Sequence, residues 1–551
     1  MNTRRYRTAV TALSLALLLV CAGAAAQEPA GRTAEMRNKV DGLLWIGDSI
    51  LIAVDYGGFV NKTAKMQAFR VTDMAELWYT EVPVGNRLRF EGALWVNPAA
   101  GVMYLGHGPF SALDLRDGRV LWSIPYDDIG FVHRVEMGTE RLLVLGSKTK
   151  SGFRIGLPTS PENAERAAQR AGTGGEHLDD PILFAVNRQS GEIAWQYPFE
   201  PGKMHKKKKT DFWSATKITY EVREPTQLYV IAADGSAGEL TMAEGNVIVQ
   251  AKHVASLDLA TGQERWKIKE DFNGAPVFAE DRILVIKEDR LVALNPADGS
   301  ELWRSKDKVK SAWPSPDPFL VLEGKIVVNS GGKLRVLDPA TGAETLKSQK
   351  DIGDYTIFSL LLDESTPLCV FPGKYDLSKD GYTENYRLCC LSLADGSLRW
   401  QFEKGKEFQS CDLGPGGCIQ VIDKERLWRL DPATGKILCE CKLGDAVVLA
   451  DVPAPTLLGN DGLRCFTPDG KKEAWRYKVK LSDEGVGDAF YTASTLVMPT
   501  KKAGIQAIDP NSGTLKWSIE AEKSGLFAAS ESLTHIALAT DKELRVVELK
   551  M

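Results

Sequence analysis

Histidine is scarce in this 551-residue chain: there are six, at positions 107, 133, 177, 205, 253 and 535, and no two have the spacing of a zinc site. Each is read as a surface or sheet-edge residue. No C-x-x-C-H sequence is present for covalent haem, and no G-x-S-x-G elbow for a serine hydrolase. The glycines of "GHGPFSALD" around His107 and of "GTGG" at Gly172 to Gly175 lack the strand-to-helix setting that phosphate binding needs. Charge of one sign is missing too. Sixty-eight basic residues stand against 73 acidic ones, a formal −5, which argues against a dedicated nucleic-acid surface.

Long apolar runs are absent except at the amino terminus. There Arg4, Arg5 and Arg7 precede the apolar run Val10 to Val20, and Ala24 and Ala26 form a small-x-small cleavage site. The run falls short of the roughly 20 residues of a membrane span. Residues 1–26 are therefore expected to be a cleaved export signal, residues 27–40 a short linker, and the mature protein periplasmic or secreted with no transmembrane span. Cys21 sits where a lipoprotein cysteine would, but Val20 is larger than the residue such a site takes. The pair Arg4–Arg5 resembles a twin-arginine signal, but Arg7 stands where an apolar residue belongs. Export permits disulfides. Eight cysteines remain after cleavage, all between Cys369 and Cys465. Cys411 and Cys418 flank "DLGPGG" and either bridge its two arms or stay as buried thiols.

What is abundant is repetition. "ALDLRDGRVLW" ends at Trp122, "AVNRQSGEIAW" at Trp195, "SLDLATGQERW" at Trp266, "ALNPADGSELW" at Trp303, "CLSLADGSLRW" at Trp400 and "AIDPNSGTLKW" at Trp517. In each, the tryptophan follows the glycine by four residues: Gly118, Gly191, Gly262, Gly299, Gly396 and Gly513. Weaker copies end at Trp78, Leu346, Cys439 and Trp475, making ten. The alternating apolar residues before each turn make a strand. The Asp caps its own backbone and the Gly takes the positive-φ position, so the chain reverses. The next strand carries the tryptophan. Two further strand-like runs precede most copies, giving about four strands in about 40 residues, the size of a propeller blade.

Tryptophan spacings of 37, 42 and 44 residues fit that unit, and two long gaps, of 73 and 71 residues, mark insertions. Insertions are expected at about 147–181, which includes a helix-like "PENAERAAQRA", at about 201–215, and at about 372–386. The expected fold is an all-β propeller of four-stranded blades over residues 41–551, with ten to eleven units counted if the final "THIALATDKELRVVELK" is included. Closure should bring "DGLLWIGDSILIAVD" beside the carboxyl terminus.

These motifs resemble the PQQ-like repeat, the blade of quinoprotein dehydrogenases and of BamB-like envelope scaffolds. The resemblance implies eight blades, a turn at each glycine and a tryptophan docked between neighbouring blades. Catalytic members add a calcium ion held by carboxylate and amide oxygens, and a vicinal disulfide beside the quinone. No such ligand constellation is visible here. The adjacent Cys389 and Cys390 lie in the strand alternation "RLCCLSL", where successive side chains point to opposite faces. They are read as repeat residues and not as a quinone platform.

The sequence thus points to a non-catalytic scaffold in the cell envelope that binds protein or peptide partners, with no cofactor. The alternative is a PQQ- and calcium-dependent alcohol or sugar dehydrogenase. The region expected to bind a partner is the loop of Lys206, Lys207, Lys208, Lys209 and Trp213, which combines charge with an aromatic. Such a run also suits an anionic lipid or polymer, or is a solvated loop. Trp213 and Tyr220 are the rim aromatics a carbohydrate binder would use.

Overall fold

The computed structural model describes residues 31–549, apart from 56–62, 84–93, 148–175, 211–216, 233–245, 310–318, 348–367, 480–489 and 520–525 and breaks of four residues or fewer. The chain is a β-propeller built almost wholly of antiparallel strands. Among the described residues nine sheets have four strands, one has five and one has three, and two further sheets are two-stranded hairpins. In chain order the eleven larger sheets, numbered 1 to 11, begin at residues 42, 94, 131, 226, 272, 319, 368, 408, 447, 490 and 526. That number agrees with the repeat count and exceeds the eight that the resemblance implies.

The full sheets have four antiparallel strands, lettered a to d, and in most of them an Asp- or Asn-to-Gly turn joins c to d. In sheet 4, for example, c is Val254–Asp258 and d is Glu264–Ile268. The inward residues of b and c are wholly buried, as Leu284, Ile286, Leu291 and Ala293 show in sheet 5. These cores are shared between neighbours. One apolar cluster joins sheets 1 and 2, the next joins 2 and 3, and another joins sheet 11 back to sheet 1.

Closure uses more of the amino terminus than the sequence suggested. Residues 27–40 were expected to be a linker, but Gly31–Glu35 is the d strand of sheet 11 and pairs with Glu543–Glu548. The d position of sheet 11 is thus filled from the amino-terminal part of the chain. The next residues clasp sheet 1. Gln67 Oε1 accepts from the Arg37 backbone N–H at 3.1 Å, and Gln67 Nε2 donates to Glu76 at 2.7 Å. Asn38 donates to the Tyr79 hydroxyl at 3.2 Å and accepts from Lys65 at 3.1 Å. Across the same seam Trp45 Nε1 donates to the Ala528 carbonyl at 3.2 Å. The first and last sheets are adjacent, as closure requires.

Parts of the insertions form strands. Residues 148–180 separate strands b and c of sheet 3, and within them Glu176–Leu178 pairs with Thr226–Ala232 as the fifth strand of sheet 4. The helix-like 161–171 lies outside the described residues. The segment expected as a loop at 201–215 is instead a hairpin of Met204–Thr210 and Lys217–Arg223. The 372–386 insertion contains a small hairpin, Lys374–Asp376 with Gly381–Thr383. In these short strands, pairing satisfies the backbone groups.

Candidate functional site

The repeat motif forms an interlock between sheets. Seven of the tryptophans lie against the turn glycine of the next sheet, not their own. A Cβ built on Gly262 would meet the Trp195 ring at 2.5 Å, and Gly118, Gly191, Gly299, Gly342, Gly435 and Gly513 face Trp78, Trp122, Trp266, Trp303, Trp400 and Trp475 in the same way. Gly262 also has a φ of 70°, so both the turn and the ring require a residue without a side chain. Each indole N–H is satisfied. It donates to a turn carbonyl of that same next sheet at 2.8–3.0 Å, for example Trp195 to Leu259 and Trp303 to Pro339. The flat ring is buried and its one polar atom bonded, so the contact carries no desolvation penalty.

The turn itself is held by its aspartate. Asp258 Oδ1 accepts from the Thr261 N–H at 2.8 Å and from the Thr261 hydroxyl at 2.9 Å. Asp338 with Thr341 and Asp431 with Thr434 repeat this arrangement. The Arg265 guanidinium, with Thr261, holds the Asp258 carboxyl down to about 2. Arg116 does the same for Asp114, and Ser392 and Ser397 for Asp395, each held at about 2. These carboxylates are consumed by turn geometry.

Of the residues expected to be structural, Gly118, Gly191, Gly262, Gly299 and Gly513 receive a ring, and Trp122, Trp195, Trp266, Trp303 and Trp400 supply one. Gly396 lies outside the described residues. Trp517 departs from the pattern. Sheet 11 has no turn motif to receive it, and it stays half-buried against Ile536 and Val547. The weaker copies turn out to be working parts. Gly342 and Gly435 receive rings although the tryptophan place in their own copies holds Leu346 and Cys439, and Trp78 supplies one although its copy lacks the glycine.

Where Cys439 replaces the tryptophan, the seam between sheets 8 and 9 is built differently. Cys439 Sγ and the Glu440 carbonyl occupy the space above Gly470. Arg429, 5% exposed, donates to Gln420 at 3.1 Å and to the Val452 and Pro453 carbonyls, tying sheet 8 to sheet 9. Burial pushes the Cys439 thiol up to about 12 and Cys441 up to about 11. Such thiols are poor nucleophiles and poor metal ligands.

The other cysteines resolve the two readings left open. Cys389 and Cys390 occupy the strand Leu388–Leu391, opposite Val370 and Cys369, and no bond joins them. A vicinal disulfide needs an irregular backbone that this paired strand does not provide, so the pair does not fit a quinone platform. Cys411 and Cys418 are not bonded to each other either. Cys411 stands opposite Val421, while Cys418 lies beyond the pair Leu413–Ile419 with its sulfur over Gly414. Of the two readings, the bridge is not formed, and Cys418 is buried while Cys411 is half-buried.

The described histidines stay apart, His133 in sheet 3, His253 buried beside Tyr197 in sheet 4, and His535 in sheet 11. Among the described residues no three His, Cys, Asp or Glu side chains are grouped to hold a metal ion.

Geometry instead singles out one end of the sheets. Strands alternate in direction, so a–b and c–d connections share one end and b–c and d–a connections share the other. Because every ring docks on a c–d turn of the next sheet, the sheets share one orientation across the seven interlocked seams. At the turn end the described connections are two to seven residues long, and 233–245, which join a to b in sheet 4, lie outside the described residues. The other end carries the b–c connections 148–180 and 371–387 and the d–a connections 199–225, 305–318 and 479–489. All three predicted insertions fall on it. Lys206, Lys207, Lys208 and Lys209 lie there in the hairpin, opposite Glu221, Tyr220, Thr219 and Ile218 in register. Trp213 lies outside the described residues.

Residues 179–439 match the family described as outer membrane protein assembly factor BamB. No curated protein sequence matches the chain. Among solved structures, BamB from Moraxella catarrhalis is 14% identical, with 59% of this chain and 96% of that one covered and a TM-score of 0.28. A europium-containing methanol dehydrogenase is 11% identical, with 76% and 93% covered and a TM-score of 0.28. The computationally designed Ika8 protein is 10% identical, with 83% and 96% covered and a TM-score of 0.25. Those TM-scores are too low for any of the three to lend this chain a function. The turn motifs and their interlocked tryptophans agree with the matched segment, and over residues 179–439 the chain is similar to that family.

Proposed function

We propose that this is an exported, non-catalytic propeller scaffold of the cell envelope, which binds protein or peptide partners through its insertion-bearing end. The observation that supports this reading is the segregation of connections. Rigid interlocked sheets hold one end nearly uniform, while the other end presents long, dissimilar segments of the kind that carry binding. The match to an outer membrane protein assembly factor gives protein binding in the envelope as the nearest analogy, and no pathway is carried over with it. The repeat's polar residues serve turns and its cysteines are buried in strands, which leaves the cofactor-free reading the better supported one.

The decisive experiment is titration of the mature protein with pyrroloquinoline quinone and calcium. The quinone spectrum is followed, and dye reduction is then assayed with a panel of alcohols and sugars. The scaffold reading expects no saturable, calcium-dependent spectral change at micromolar quinone. Stoichiometric binding with turnover would replace it with a dehydrogenase.

A further inference from the structure

We propose that the segment Gly31–Asn38 is a releasable clasp. It peels from sheets 11 and 1 as a unit while the interlocked seams stay shut, and its departure turns Glu543–Glu548 into an open strand edge. The inference does not depend on the scaffold reading. It starts from the register of the closing seam. Arg32 lies opposite Val546, the place that Trp303 takes opposite Ala293 in sheet 5. Its guanidinium also takes over the indole's bond, donating to a turn carbonyl of the next sheet, that of Val71, at 3.3 Å. The turn it reaches is the repeat's own in altered form. The Met74 N–H donates to the Arg70 carbonyl at 2.7 Å, as Gly342 does to Asp338 at 2.8 Å, and Met74 holds a φ of 57° where the other turns have glycine. Met74 is buried in the apolar cluster of this seam, together with Met36. Among the described residues no tryptophan ring lies on a turn glycine here.

What holds the clasp is mostly polar. Arg37 bonds Glu76 through Nε at 3.0 Å and through its terminal nitrogen, and it lies 4.9 Å from the centre of the Tyr79 ring. Gln67 bonds both the Arg37 N–H and Glu76, and Asn38 bonds Tyr79 and Lys65. The Arg37 side chain is 55% exposed and that of Glu76 31%, so salt screens the pair. Met36 is the one buried residue of Gly31–Asn38. Connectivity points the same way. In the interlocked sheets a d strand is held at both ends, by the c–d turn and by the connection that follows it. No turn joins Gly31–Glu35 to Glu543–Glu548, so the strand can fray from Gly31 with only 36–41 retaining it. Its departure leaves sheets 11 and 1 adjacent, because Trp45 still donates to the Ala528 carbonyl and Asp48 still accepts from the Ser532 N–H at 3.4 Å.

The test is hydrogen exchange of the unaltered mature protein, read by mass spectrometry on peptides covering 31–38, 543–548, 254–258 and 264–268. The clasp amides and those of Glu543–Glu548 that face it should exchange on one time course, about tenfold or more faster than the c–d amides of sheet 4. Raising sodium chloride from about 0.05 to about 0.5 M should speed the clasp further and leave sheet 4 unchanged. Glu76→Gln keeps the shape and removes the charge, and should speed clasp exchange by about fivefold. Exchange of 543–548 as slow as that of 254–258 would overturn the proposal without reference to any variant's folding. Equally fast exchange throughout Leu526–Ala529 and His535–Ala539 would overturn it too, because sheet 11 would then be opening whole. Fast exchange indifferent to both salt and Glu76→Gln would contradict a clasp held by polar contacts.

Discussion

The two ends of the sheets are made by the same strands and have little else in common. At the turn end an Asp- or Asn-to-Gly reversal recurs from sheet to sheet, and seven of these are locked under a tryptophan from the neighbour. At the opposite end the connections run from two residues to more than thirty and share no motif. The difference separates what holds the molecule together from what can distinguish it from other propellers. Residues that recur are spent on the interlock, and the segments without a repeat are free to carry recognition.

The comparison can be broken most forcefully from the turn end. Trp195→Ala should destabilise the protein by about 3–5 kcal/mol, the cost of emptying a buried aromatic site, and thermal or urea unfolding would measure it. Gly262→Ala should cost less, about 1–3 kcal/mol, because the alanine must hold a left-handed φ and displace the Trp195 ring. If either substitution left unfolding unchanged, the interlock would not be what joins the sheets.

Acid offers a gentler test. The Asp114, Asp258 and Asp395 carboxyls sit at about 2 when folded, below the ordinary unfolded value of about 3.9. Their contribution is therefore fully present above pH about 4 and is lost as pH falls towards 2. Asp395 is exposed, Asp258 half-buried and Asp114 buried beside an exposed Arg116, so the fall in melting temperature should be modest and partly reduced at high salt. A melting temperature that rose over that interval would contradict the assigned turn bonds.

The seam of sheets 8 and 9 sharpens the comparison, because it lacks the tryptophan. Cys439 and Cys441 should resist iodoacetamide at pH 8 in the folded protein and react in urea, as thiols pushed up to about 12 and 11 by burial must. Mass spectrometry of the labelled peptides reads this out. The smallest effect belongs to the insertion end, where deleting 204–223 should leave the melting temperature unchanged.

Much of this was legible in the sequence because the repeat writes its physics into fixed spacing. A glycine four residues before a tryptophan predicts both the turn and the ring that it shelters. Which tryptophan meets which glycine was not legible, because the contact is made between successive sheets about 70 residues apart at most. Gly342 and Gly435 looked like degenerate copies for the same reason. The Gly31–Glu35 strand was missed because five polar and small residues give no alternation, and only the vacant d position of sheet 11 makes them a strand. The lysine run was read as a loop because charge outweighed the β-branched and aromatic character of its partner, Lys217–Arg223. Cys411 and Cys418 suggested a bridge by proximity in sequence, but hairpin register sets their positions apart.

The central claim, that partners meet the insertion-bearing end, is most directly tested by photo-crosslinking in the intact envelope. A photoreactive amino acid would be placed at exposed Glu288 and Lys424 on that end, and at exposed Gln189 and Ala340 on the turn end. The account predicts discrete crosslinked partner bands from Glu288 or Lys424 and none from Gln189 or Ala340. Crosslinks confined to the turn-end positions would contradict it.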